Sequence, residues 1–359
     1  MHLQPDKRFP LIYLMREARF IKKNVEKWNQ YQHEERKDPD EMADRFITLL
    51  DDLSYAKTFY PKSKVTRWIN GIAASIYQNI YQNKREGFSR IKRFWKFELP
   101  LLFRRYHKVF LFTFLLFVSF VFIGVVSSTT DPDFARQYFN HHVQPGYYDQ
   151  TIASIQKGDP FGVYKDDNPF SMFVTIAFNN ISVAFKTVVF GILFGLGTVL
   201  FMWSNGLMLG CFQYIFFSQG LGWQSVLVIW IHGTIEISSI VIASCAGIIL
   251  GTGWLFPGTY SRKQSFLRGV KDAVKICISL VPFFIIAAFF ESYVTHLMSN
   301  TFEKNSVDIG LPVPISIMIL VGSFILILWY FVIYPIRLHH SGFDLKDGKI
   351  IKDGGIYET

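Results

Sequence analysis

The sequence predicts an all-α fold: a polytopic membrane helix bundle of about six transmembrane helices, one region a candidate re-entrant segment, with a small N-terminal cytoplasmic helical domain. Three observations carry this. The 359 residues are 50% hydrophobic and only 18% charged, more apolar than an ordinary soluble domain, which excludes a disordered chain and disfavours a large aqueous enzyme. Apolar and charged residues are segregated into long blocks. The polar blocks also alternate in the sign of their charge, so the net +9 reads first as membrane topology.

Residues 1–88 read as a cytoplasmic three-helix domain. Apolar residues recur at helical spacing, as in Leu11, Leu14, Met15, Ala18 and Ile21, and again in Met42, Phe46, Leu49, Leu50, Leu53 and Ala56. An aspartate flanking Pro39 is expected to cap a helix from near Glu41, Pro61 to end it, and a third helix to run from about Ser63 to Asn83. Met1 to Pro10 is polar, so no cleavable signal peptide is expected and an internal span serves for export. Residues 89–108 read as a basic amphipathic interfacial helix, with Arg90, Lys92, Arg93, Lys96, Arg104, Arg105 and Lys108 among Phe94, Trp95, Phe97, Leu101, Leu102 and Phe103. Basic residues among bulky aromatics suit the headgroup region. Because this segment leads directly into the first span, the lipid bilayer is the expected partner and nucleic acid is not.

Residues 109–335 read as the transmembrane bundle. Val109 to Val126 lacks any charge over 18 residues, close to the roughly 20 needed to cross about 30 Å of hydrocarbon. An extracytoplasmic loop is expected at 127–170. Ser171 to Trp203 is too long for one span, so it reads as a re-entrant or amphipathic lead-in, with Asn179 and Asn180 capping the break, and a span from about Val183. Asn205-Gly206 is a tight-turn signal between the second and third spans. Gly206–Gln219, Val226–Leu255, Ile276–Phe290 (softened by Pro282) and Pro314–Tyr334 complete six, leaving 336–359 as a cytoplasmic tail. Residues 1–108 carry +10, 127–170 carry −3, 256–275 carry +4 and 291–313 carry −2. The positive-inside rule therefore predicts a multi-pass protein of the cytoplasmic (inner) membrane with both termini cytoplasmic.

His232 and Glu236 stand four apart in an apolar run, about 40° apart on one helix face. Ionisable groups in hydrocarbon cost several kcal/mol, and function is the default hypothesis for them. A structural hydrogen-bonded pair, a proton or ion relay and a metal-dependent hydrolase are the three readings. The last lacks the H-E-x-x-H arrangement of a zinc hydrolase, so no catalytic residue, metal or cofactor is assigned. Ser239, Ala243, Gly247 and Gly251 continue that face as a small-residue stripe, and Gly191/Gly195 and Gly206/Gly210 repeat the spacing. Such faces pack helices within the chain or, alternatively, join a homodimer. Glu291 reads as a snorkelling carboxylate at the outer end of the fifth span. Lys186 reads as reaching an interface or pairing with a carboxylate, Glu236 being a candidate. His141 and His142, near Asp131, Asp133 and Asp149, read as solvated. Cys211, Cys245 and Cys277 have no metal or disulfide spacing and read as core residues.

Taken together, Arg16 to Phe20 with Trp28, DDLSYAKTFYPKS at 51–63, FNNISVAFKTVVFGILFGLGT at 178–198, Asn205-Gly206 with Gly210, HGTIEISSIVIASCAG at 232–247, Pro257-Gly258 with Arg262 and AAFFES at 287–292 resemble the stage II sporulation protein M family. The resemblance covers about 290 residues. It implies a polytopic cytoplasmic-membrane protein without established catalysis, whose namesake is similar to a scaffold for a peptidoglycan-remodelling machine. His232, Glu236 and Glu291 carry over as motif residues. The expected function is a non-enzymatic scaffold that organises or recruits other membrane or envelope proteins. A transporter or channel using His232 and Glu236 is the alternative, and an intramembrane hydrolase the weaker one.

Overall fold

Amphipathic periodicity and proline punctuation build the first of two units, Met1–Phe88 and Ser89–Thr359. The computed structural model describes residues 17–33, 39–81, 88–162, 168–303, 310–346 and 348–357; Leu11, Leu14, Met15 and Asp38 lie outside them. In the first unit α1 is Glu17–His33, α2 Pro39–Phe59 and α3 Lys64–Tyr81. Pro61 follows the end of α2, and Ser63 receives the Val65 amide at 3.0 Å as α3 begins. The buried faces meet around Trp28, which donates to Asp52 at 2.8 Å and packs edge-on against Trp68. Leu49, Leu53, Ala56, Ile69 and Ile72 complete this core.

Where the second unit begins, Phe88–Arg93, a π-helical turn Phe94–Glu98 and Leu99–Arg105 run on as α4, with Phe88 the last residue of the first unit. Six long apolar helices follow: α5 His107–Thr130, α8 Pro169–Ile192, α9 Leu196–Ser218, α10 Gly222–Leu255, α11 Arg262–Phe302 and α12 Val313–His340. Between α5 and α8 lie two shorter helices, α6 Pro132–His142 and α7 Tyr147–Lys157. Asp131 caps α6 by accepting the Asp133 amide, and Arg136 pairs with Asp149 across the two. The central element is α10, which packs against α5, α8, α9, α11 and α12. In its most apolar stretch 72% of residues are buried, against 11% for α12. Exposed Leu, Ile, Val and Phe side chains cover the outer helices, as expected where the solvent is hydrocarbon.

The structure replaces the expected re-entrant segment with two full-length helices. Asn179 and Asn180 lie inside α8, and Asn205 and Gly206 inside α9. Asn205 satisfies its amide by donating to the Phe201 carbonyl at 2.8 Å. The real turn is Phe190–Gly195, where Phe194 and Gly195 take positive φ of 56° and 84°. It is as apolar as the helices it joins, so hydropathy shows no break there. The turn signal at Pro257 and Gly258 is a turn, with Gly258 at φ 61° and Tyr260 donating to the Pro257 carbonyl. Ser261 then caps α11 through the Gln264 amide.

Two further differences concern the ends. The apolar side of α4, Phe97, Leu99, Leu101, Leu102 and Phe103, is buried in the protein core, so it packs on protein where the sequence suggested lipid. Tyr330 and Tyr334 of α12 donate to the carbonyls of Trp95 and Lys96. The expected tail forms a three-stranded antiparallel sheet, β1 Phe343–Lys346, β2 Lys349–Lys352 and β3 Gly355–Ile356. Buried Leu345 and Ile350 place it in the same core as α4.

The small-residue faces are filled within the chain. A Cβ at Gly210 would stand 3.1 Å from Gly124 Cα of α5, and one at Gly206 would stand 2.7 Å from Phe120 Cβ. Ser239 and Ala243 are buried. Gly247 lies against Thr187 and Thr198, and Gly251 against Gly191, Phe194 and Gly195, so this stripe seats the α8–α9 turn on α10. It leaves no free surface there for a homodimer seam.

Candidate functional site

His232 and Glu236 share one face of α10 because they are one helical turn apart. The structure brings Glu291 of α11 to the same place. One ligand atom from each of the three residues lies within 4.8 Å of the others. His232 is buried, Glu236 is half-buried, and the His232 Nε2 to Glu291 Oε1 distance is 4.0 Å. No other group of three or more His, Cys, Asp or Glu side chains close enough to hold a metal occurs among the described residues.

The helix does not end at Glu291. The apolar run stops at Phe290, but the helix continues to Phe302, and Glu291 is 17% exposed. The continuation is polar in composition because it faces protein: Ser292, Thr295, Met298, Ser299 and Asn300 are all buried. A hydropathy window therefore ends the helix too early.

Thr295 was not visible as a site residue in the sequence. A π-helical turn, Phe290–Thr295, interrupts α11 here, a distortion frequent at functional sites. Within it the Thr295 hydroxyl donates to the Phe290 carbonyl at 3.1 Å. Its oxygen lies 2.9 Å from His232 Nδ1, a contact that holds the ring with Nε2 directed toward Glu291. Next to Glu291, the buried hydroxyl of Ser292 has no hydrogen-bond partner among the described residues.

Helices α6 and α7 and the turn after them contribute to the packing on this side of the bundle. Phe161 is fully buried and stacks on Phe216 at 5.1 Å, and Ser299 donates to its carbonyl. Burial pushes the Tyr147 phenol up to about 12, and the Glu291 carboxylate adds to the shift.

The other expected polar residues are elsewhere. Lys186 is exposed on α8 and does not belong to the cluster. Asn180 is buried, with its amide nitrogen unpaired among the described residues, while Asn179 donates to its side-chain oxygen at 3.3 Å. His141 and His142 are exposed. A separate groove of about 380 Å³, lined by side chains such as Ala184, Val188, Leu250, Ala273, Cys277 and Phe284, is wholly apolar.

Six long apolar helices define a multi-pass helical membrane protein, with a partly buried His–Glu–Glu cluster between two of them. The chain belongs to the stage II sporulation protein M family, which matches residues 113–296, a stretch holding all three cluster residues. A domain of unknown function (DUF8413) matches residues 18–82, the three-helix unit. No curated protein and no solved structure matches the chain.

Proposed function

We propose that the protein handles a cation inside the membrane, binding it between α10 and α11 with His232, Glu236 and Glu291. One observation carries this reading: three groups with cation-seeking lone pairs, from two spans, meet inside a hydrophobic bundle. Each such group is costly in hydrocarbon, and the usual reason for keeping it is an ion or proton path. The charge pattern supports a cytoplasmic-membrane protein with both termini inside, so the cluster lies in the half of the bundle nearer the outer surface.

The test is cation movement across vesicles holding the purified full chain, read by internal dyes for pH and for zinc. Glu236→Gln is expected to abolish the dye response, with the protein still eluting as a single folded species. A response unchanged by the substitution, or none in the unaltered protein, contradicts the reading.

A second reading, a scaffold that recruits membrane or envelope proteins, is favoured by a different observation. The 17–81 helices carry a core of their own and match a separate domain, and α2 presents Ile47 and Leu50 to solvent. Purification in mild detergent as a solitary chain contradicts it. Both readings are non-enzymatic.

A further inference from the structure

The cluster has a charge and a geometry that select among cations, and this argument rests on the cation-handling reading above. We infer that His232 Nε2, Glu236 and Glu291 coordinate one divalent transition-metal ion of the zinc class.

Charge gives the valence. With Nδ1 held by the Thr295 hydroxyl, His232 ligates through Nε2 as a neutral imidazole, and two carboxyl groups that lose their protons on binding metal bring the site to −2. One dication neutralises that inside a medium where uncompensated charge is costly. A monovalent cation leaves the site negative.

The donor set gives the metal class. Calcium and magnesium take oxygen ligands, whereas an imidazole nitrogen beside carboxylates suits zinc and its first-row neighbours. The separations fit after a small closure. With all three ligand atoms within 4.8 Å of one another, some point lies within about 2.8 Å of all three, so zinc's bonds of about 2.0–2.2 Å need inward shifts of at most about 0.8 Å. The Thr295 bond on the far nitrogen is the outer-shell contact that metal-binding histidines use to fix tautomer and ring orientation. Three protein ligands leave a fourth zinc position for water or a carried group.

The test is metal content. Full-length protein in detergent, stripped with chelator, dialysed against zinc chloride and washed, is expected to retain about one zinc per chain. Cobalt in its place is expected to show the visible bands of a tetrahedral site. His232→Gln and Glu291→Gln are each expected to lose the bound metal. Thr295→Val, which keeps all three ligands, is expected to weaken zinc binding by about 10–100-fold, and this graded variant keeps the proposal falsifiable where a ligand variant fails to fold. Calcium and magnesium are expected not to displace zinc. Substoichiometric zinc in the unaltered protein, or full retention in the ligand variants, overturns the metal site. Dye response in vesicles without zinc binding would overturn it while leaving proton handling intact; zinc binding without movement would keep the site and overturn transport.

Discussion

Replacing Gly247 by alanine is expected to destabilise the bundle severely, the reverse of what alanine does on an open helix face. Alanine favours a helix interior over glycine by about 1 kcal/mol. At Gly322, where nothing lies within 4 Å of an added Cβ, the same change is expected to be neutral or mildly stabilising. At Gly247 the new carbon would stand 2.8 Å from the Thr187 carbonyl oxygen. That atom belongs to the backbone of the adjoining span and already accepts from Thr198 Oγ1 at 2.8 Å, so it cannot swing aside. Overpacking of this kind costs about 3 kcal/mol. The thermal midpoint in detergent measures it, with Gly322→Ala as the control; equal midpoints for the two variants would contradict the packing of α8 and α9 on α10.

Arg105→Met is the second large effect. Asp272, with its side chain 8% exposed, lies 3.5 Å from Arg105 and accepts from the Tyr106 hydroxyl at 2.8 Å. Arg105 also donates to the Leu345 carbonyl, so one side chain joins α4, α11 and the C-terminal sheet. Burial, with Asp272 adding to it, holds the Tyr106 phenol well above its ordinary range, and the tyrosine remains a neutral donor that cannot replace a charge. Removing the guanidinium strands a buried carboxylate, a change that costs about 3–5 kcal/mol. Arg105 is partly exposed, so about 3 kcal/mol is expected. Asp272→Leu added to Arg105→Met is expected to restore much of the loss, since no unpaired charge then remains. Simple additivity of the two single effects would contradict the coupling.

These two sites show what the sequence could and could not disclose. Six spans were legible because hydropathy reports what faces lipid. The charge-free run Val109–Val126 extends by only a few residues at each end, to His107–Thr130. The boundaries failed where exposure changed without a change in composition, or the reverse. The α8–α9 turn is apolar and folds onto Gly247 and Gly251, so it looked like membrane segment. The last turns of α11 are polar and buried by protein, so their composition reads as loop although they are helix. His232 and Glu236 were legible as a pair from their spacing alone. That Glu291 completes the cluster, and that Thr295 orients the ring, depends on how α10 and α11 pack, which no spacing within one helix encodes. The C-terminal strands are too short and too charged for their alternation to stand out.

A cluster kept for a cation is kept at a cost in stability. The most direct measurement compares the melting temperature of Glu236→Gln/Glu291→Gln with that of the unaltered protein, both in chelator-treated detergent solution. Two amides in place of two desolvated, mutually close carboxylates relieve charge burial without changing shape. The double variant is expected to melt several degrees higher and to ignore added zinc, while the unaltered protein rises with zinc in a saturable way. A double variant that melts lower than the unaltered protein, with zinc moving neither, would show a structural hydrogen-bonded cluster and contradict the claim.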